Sequence, residues 1–365
     1  MPGRYELADL LVSLLKSFLN QLVYFIIMIN KKIAILTPTF SHYSGIDRVV
    51  EQQALEYSKK GDKVAVFALE ADIRPRGFEL VVLGMPKNLF LQRLYRLIFF
   101  IDFMKIRKAV KKLKDYDIAI SHFYPMNIIA CGAKKKYGLK YIFYNHGIGY
   151  SGLFRNVFEK VYIRLFSLFS KNSIMLADEC ISISKFMQSE LKKETGKDSK
   201  IVYNKVDKRY RKGIIGSTVR KKLEIKDNEK LLFFIGRLSP HKNIHTLLKI
   251  FGIVNKEMPN TKLLIAGKPT FRKYYWELRE TANKNVIFKE SINDKELPNY
   301  YAACDLYVTA SLWEGFNLPI AEAQACGKKV VAFNVCSHPE VVKEGILVKK
   351  GDIGGFADAI IRLLK

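Results

Sequence analysis

The sequence predicts an α/β protein made of two successive units, each a mostly parallel sheet with helices on both faces. Three observations predict it. From residue 31 onward, short apolar runs alternate with longer segments of helical period. The series lapses once, in a polar and highly basic stretch over residues 205–229, and then resumes. At 365 residues the chain is long enough for two domains of ordinary size.

Ile33–Leu36 reads as the first buried strand, and Val64–Leu69 as the second, after a helix ending near Gly61. Ile118–Ser121, Tyr141–Tyr144, Cys180–Ile183 and Ile201–Tyr203 continue the first series. Leu231–Ile235, Lys262–Ala266, Val286–Phe288, Leu306–Thr309, Val330–Phe333 and Ile346–Val348 make the second. The expected division is therefore an apolar extension over residues 1–30, one α/β unit over 31–205 and another over 206–365. The chain has neither a Walker-type loop nor a clean G-x-G-x-x-G, so a ligand is expected in a cleft between the units, at the carboxyl ends of strands.

Apolar residues make up 49% and charged residues 26%, which excludes a disordered or collagen-like chain. A net charge of +26 points to anionic partners: nucleic acid, an anionic membrane surface or phosphorylated small molecules. The five cysteines are widely spaced and form no C-x-x-C, which argues against a disulfide framework or a structural zinc site. Cys326, beside Gly327, reads as a small core residue rather than a nucleophile. Leu7 to Ile29 is apolar enough to span a bilayer, but Asp9, Lys16, Asn20 and Gln21 interrupt it and no cleavage site follows. A dispensable extension, an interfacial helix and a spanning helix all remain open. In the last case Lys31 and Lys32 favour a cytoplasmic catalytic part.

Two segments carry chemistry. In SLWEGFNLPIAEAQACG (311–327), Pro319 suits the start of a helix and Gly327 the residue past its end. The backbone N–H groups of Gly315, Phe316, Asn317 and Leu318 would then sit at a helix N-terminus, where a diphosphate fits. Glu314 just before that helix and Glu322 within it could flank one hydroxyl-rich ligand, since carboxylates only accept hydrogen bonds. Taken as an isolated pair, a loop carboxylate and a solvated helix glutamate are the commoner outcome. In FIGRLSPHKN (234–243), a strand ends at Ile235 and the following loop presents Gly236, Arg237 and Lys242. Two cations there could neutralise the charge gained by a departing nucleoside diphosphate.

Both segments resemble the retaining glycosyltransferases of family four, which carry a G-R-x-x-x-x-K loop and a Glu, seven residues, Glu signature. Here these stand as GRLSPHK (236–242) and EGFNLPIAE (314–322), followed by CGKKVVAFNVCSHPEVV (326–342) and GILVKKGD (345–352). The N-terminal half is similar more loosely. TPTFSHYSGIDRVV (37–50) looks like the glycine-rich loop near the donor phosphates, with Ser44-Gly45 where Gly-Gly is usual. YNHG (144–147) makes His146 the matching histidine of the family's catalytic cleft, where it meets the donor sugar.

The resemblance implies a GT-B fold, two Rossmann-like domains facing across a cleft. It implies that Glu314 contacts sugar hydroxyls and Glu322 the ribose, while Arg237 and Lys242 bind the diphosphate. Gly45, Gly236 and residues 315–318 would contact the same donor. The substrate would be a nucleotide sugar such as a UDP- or GDP-hexose, with no further cofactor and no metal. Hexose transfer would proceed with retention, by a front-face route, to a glycan or lipid-linked acceptor. Relatives continue into a last helix that returns to the N-terminal domain, whereas this sequence ends at Lys365, which puts domain closure in question.

Residues 87–114 combine Phe, Leu and Ile with nine Lys or Arg, and residues 153–171 repeat the theme. Basic amphipathic segments of this kind suit an anionic membrane surface, so a peripheral location on the cytoplasmic face is expected. The bland alternative packs the apolar side on the sheet and solvates the charges. A nucleotide-sugar epimerase of similar fold and a basic nucleic-acid-binding protein are the competing readings. No RNP-type strand or helix-turn-helix pattern supports the latter, so no nucleic-acid partner is expected.

Overall fold

In the computed structural model residues 30–41, 45–147, 157–269 and 271–365 are described. The predicted extension over residues 1–30 lies almost wholly outside them, as do Ser44 and residues 153–156. Among the described residues no helix is long and apolar enough to cross a membrane.

The apolar runs fold as strands. β1 (Lys32–Phe40), β2 (Lys63–Ala71), β3 (Glu79–Val82), β4 (Ile118–Ser121), β5 (Lys140–Asn145), β6 (Glu179–Ser182) and β7 (Lys200–Ile201) form one sheet in the order β3-β2-β1-β4-β5-β6-β7. β8 (Lys230–Ile235), β9 (Thr261–Ala266), β10 (Val286–Lys289), β11 (Leu306–Thr309), β12 (Lys329–Phe333) and β13 (Gly345–Val348) form the other, ordered β10-β9-β8-β11-β12-β13. Pairing is parallel: Ile33 lies opposite both Val64 and Ile118, and Leu232 opposite both Leu263 and Leu306. β3 is the strand the sequence reading lacks. It is a four-residue, partly exposed edge strand, so its apolar signal is short and weak. The basic stretch over 205–229 is not wholly irregular, because Ser217–Lys222 forms a short helix.

By compactness the chain divides into residues 1–144 with 169–180, and residues 145–168 with 181–365. In the second unit, Leu232, Phe234, Leu263, Ile265 and Val308 pack with the helices Ile244–Glu257 and Ile353–Leu364 into one core. Arg220 pins the start of β8 beside the start of β11. Its guanidinium donates to the carbonyls of Ala303, Lys226 and Glu229 and meets Asp305, whose carboxylate also accepts the Leu231 N–H. Each sheet reverses direction once, at β1/β4 and at β8/β11, and the carboxyl ends of those strand pairs are where a doubly wound sheet opens a crevice.

In the first unit the carboxyl end of β1 is held by a buried acid. Asp47, near the start of helix Gly45–Lys59, accepts hydrogen bonds from the Ser41 N–H at 2.9 Å, the Ser41 hydroxyl at 2.8 Å and the Thr39 hydroxyl at 3.3 Å. Burial raises its carboxyl to about 7, against these hydrogen bonds. The folded chain thus holds this proton more tightly than the unfolded chain. The stability it brings is fully present below the unfolded value and is lost as pH rises through about 7. Calorimetric unfolding between pH 4 and pH 8 is expected to show the native chain losing stability relative to Asp47→Asn, by at most about 4 kcal/mol. Parallel curves for the two proteins would rule this role out.

Candidate active site

The switch point of the second sheet brings together the loops that leave β8 and β11. Gly236, Arg237 and Lys242 lie on the first loop, and Glu314 on the second. The β8 loop runs beside the one after β9: Gly236 N–H donates to Ala266 O at 3.0 Å, and Leu238 N–H to Lys268 O at 3.0 Å. Backbone approach is so close that a Cβ on Gly267 (φ +142°) would sit 1.8 Å from Gly236 O, which only glycine avoids. A 3-10 turn, Pro240–Lys242, then aims back at the β11 loop, and Leu312 N–H donates to His241 O at 2.9 Å.

This geometry delivers the Lys242 ammonium to the Glu314 carboxylate at 2.5 Å, with only 14% and 11% of the two side chains exposed. Burial alone would raise the Glu314 carboxyl. The Lys242 ammonium outweighs that and holds it below its ordinary value, so it is an ionised acceptor. His241 is pushed down to about 3 by burial, with Lys242 and Arg237 acting in the same direction, and is neutral at physiological pH. Arg237 itself is exposed to solvent.

Glu322 lies on helix Leu318–Ala325 but is not the solvated residue of the bland reading, being only 1% exposed. Its Oε2 accepts from the Tyr301 hydroxyl at 2.7 Å. Tyr301 is in turn fixed edge-on against Phe233, at 5.3 Å between ring centres, and Tyr210, at 5.7 Å. The loop between the two glutamates is anchored from the turn after β12. Ser337 hydroxyl donates to Glu314 O at 3.0 Å, and the carboxamide of Asn317 meets the ring of His338 at 2.9 Å. Phe316 is buried with them.

His146 also lies in the second unit. Asn145 shapes its turn, donating to Ser182 Oγ and Met187 O and accepting the Gly147 N–H at 3.0 Å. Burial pushes the His146 ring down to about 3, leaving it neutral. A Cβ on Gly315 would stand 2.7 Å from His146 O, and Ser184 hydroxyl donates to Gly315 O at 2.6 Å. The structure therefore gathers the His146 turn and residues 314–318 in one place. Gly45 is different. It opens a helix of the first unit, is exposed, and a side chain there would meet open space.

Sequence reasoning missed the supports: Tyr301, Asn145, Ser184, Ser337 and His338. Asn145, Ser337 and His338 stood inside motifs of the sequence, but only the fold shows what they bind. Arg237, Lys242, Glu314 and the first amides of helix Leu318–Ala325 form a set suited to phosphates and hydroxyls. Among the described residues no group of three or more His, Cys, Asp or Glu side chains is arranged to hold a metal.

Residues 43–210 match the family Glycosyltransferase Family 4, and residues 217–365 match Glycosyl transferases group 1. The chain is 33% identical over 137 residues to O-antigen chain mannosyltransferase B of Escherichia coli, covering 36% of this chain and 36% of that enzyme. It is 28% identical over 276 residues to UDP-Gal:alpha-D-GlcNAc-diphosphoundecaprenol alpha-1,3-galactosyltransferase of Escherichia coli, covering 71% of this chain and 69% of that one. Similarity thus spans about a third of the first relative's length and about two thirds of the second's. HepE of Anabaena, solved in complex with UDP-glucose, superposes with a TM-score of 0.73 at 20% identity, over 92% of this chain and 90% of that one. Sucrose-phosphate synthase of Thermosynechococcus elongatus gives 0.78 at 19% identity, with the same coverage of 92% and 90%. These likenesses show the fold, which is GT-B. With its two halves matching two adjoining glycosyltransferase families on that fold, the chain belongs to the group 1, family 4 glycosyltransferases.

Proposed function

We propose that this glycosyltransferase moves a hexose from a nucleotide-sugar donor, such as a UDP- or GDP-hexose, to a glycan or lipid-linked acceptor, with retention and without a metal. The observation that carries this reading is the buried Lys242–Glu314 pair at the β8/β11 switch point, one turn from the helix that bears Glu322. Support for the substrate class comes from HepE, solved with UDP-glucose, and from the galactosyltransferase relative, whose name specifies a diphosphoundecaprenol acceptor.

In this reading Glu314, held ionised, accepts from sugar hydroxyls, and Glu322, oriented by Tyr301, accepts from the ribose. Lys242, Arg237 and the amides of residues 315–318 take the diphosphate. They stabilise the charge that grows on its bridging oxygen as the bond to the anomeric carbon breaks. The acceptor oxygen bonds to that carbon on the same face, and its proton passes to the departing phosphate oxygen. His146, kept neutral by burial, serves the sugar as a hydrogen-bonding group and not as a cation. The cations do the electrostatic work a metal would otherwise do.

The membrane part of the reading rests on the first unit. Residues 89–112 fold as helix Leu89–Leu97, a 3-10 turn Phe99–Ile101 and helix Phe103–Lys112, and expose Phe90, Ile101, Phe103 and Met104 beside Lys108, Lys111 and Lys112. Part of the apolar side does pack inward, through Phe99, Ala109 and Val110. The exposed remainder, 65% for Phe103 and 72% for Met104, is what the solvated-surface alternative does not account for. Docking would place the enzyme peripherally on the cytoplasmic face.

Two outcomes are expected. Arg237→Ala and Lys242→Met should each lower kcat/KM by about a hundredfold, in assays that remain active in EDTA and yield product of unchanged anomeric configuration by NMR. Inversion, or loss of activity in EDTA, would sink the mechanism. The full chain should float with vesicles containing phosphatidylglycerol but not with phosphatidylcholine alone, and Phe103→Ser/Met104→Ser should weaken flotation. Failure to float with either vesicle removes the membrane.

A further inference from the structure

Asn317 occupies an unusual place. It is the residue before helix Leu318–Ala325, where an Asn side chain ordinarily caps the first free amides, yet it makes no such bond. Its backbone is left-handed, at φ +62° and ψ +65°, rather than in the extended region a capping residue adopts. Its side chain is turned instead to His338, with Nδ2 and the ring Nε2 2.9 Å apart, both residues being buried.

The hydrogen-bond chemistry fixes every role in this chain. His338 Nδ1 lies 2.7 Å from the carbonyl of Phe333, which can only accept, so Nδ1 carries the proton. Nε2 of the neutral ring is then an acceptor, and Asn317 must present its NH2 group to it. Burial disfavours the doubly protonated ring. Phe333 ends β12, so the relay hangs from a rigid strand of the sheet. The connecting turn is itself constrained, with Cys336 at φ +51° and Ser337 bonded to Glu314 O.

We propose that His338 is a positioning residue for the donor: by engaging the Asn317 carboxamide it keeps that side chain from capping its own helix, and so leaves the helix amides to the donor diphosphate. Without His338, Asn317 relaxes toward the capping conformation and its carbonyl oxygen competes with the phosphate oxygens for the same N–H groups. The inference rests on the donor site proposed above, and it assigns to His338 a role that the two-glutamate signature does not contain.

A double-mutant cycle tests it, with calorimetric binding of UDP-glucose, GDP-mannose and ADP-glucose and steady-state kinetics with the tightest of them. His338→Leu is expected to raise KM for the donor about tenfold with little change in kcat. His338→Gln, whose amide oxygen can accept from Asn317, should recover most of that loss. In an Asn317→Gly background no side chain remains to compete, so adding His338→Leu should cost less than about twofold. Thermal melts of every variant separate misfolding from weakened binding. An unchanged KM in His338→Leu, or an equal loss in both backgrounds, overturns the proposal. Failure of the unaltered chain to bind any of the three donors would instead overturn the donor-site reading.

Discussion

A carboxylate buried as deeply as Glu314 keeps its charge only where a cation or hydrogen-bond donors stand beside it, because desolvation otherwise drives it to the neutral acid. Lys242 is that cation, and the pairing constrains much around it. The lysine must leave β8 on a loop short enough to be rigid, which the 3-10 turn Pro240–Lys242 supplies. The glutamate must sit on the neighbouring strand's loop, which requires β11 beside β8, and Arg220 with Asp305 secures the two strands at their opposite ends. Removing either member of such a pair leaves an uncompensated buried charge, a loss of about 3–5 kcal/mol.

The same pair limits what Lys242 can offer a ligand. Its positive charge is matched by Glu314, so it brings a hydrogen-bonding ammonium more than a net counter-charge. His146 and His241 are both held neutral by burial. In the proposed donor site, attraction for a diphosphate would then rest chiefly on exposed Arg237 and on the helix amides, whose partial positive charge is fixed by the backbone. This is why the conformation of Asn317 bears on binding at all: a side chain that caps those amides would subtract from the charge the site retains.

Much of this was legible in the sequence, and the gaps have a physical pattern. Strands such as Ile118–Ser121 and Leu306–Thr309 were readable to the residue because burial on both faces demands an unbroken apolar run. β3, partly exposed at an edge, carries no such run. The residues proposed to face the donor, Arg237, Lys242, Glu314 and Glu322, were legible because each is a charged group at fixed spacing within a recognisable signature. Tyr301 and His338 were not. They act through single hydrogen bonds to residues about twenty positions away, Glu322 and Asn317, and no local pattern announces a contact made by the return of the next strand or helix. Gly45 shows the converse: its motif is visible, but among the described residues no packing constraint on it is.

The two glutamates of the signature end in unlike environments, and that difference argues for unlike tasks. Glu314 faces an ammonium that fixes its charge, so it is suited to hydroxyl groups whose polarity changes during the reaction. Glu322 accepts from the phenol of Tyr301, which is wedged between Phe233 and Tyr210, so aromatic packing helps to set its orientation. A carboxylate locked in this way recognises a group that stays still while the bond breaks, which describes the ribose of a nucleotide better than the transferring sugar. The spacing of the two residues places them near one ligand. The Lys242 ammonium beside Glu314 and the packed Tyr301 phenol beside Glu322 suggest which end of it each would hold.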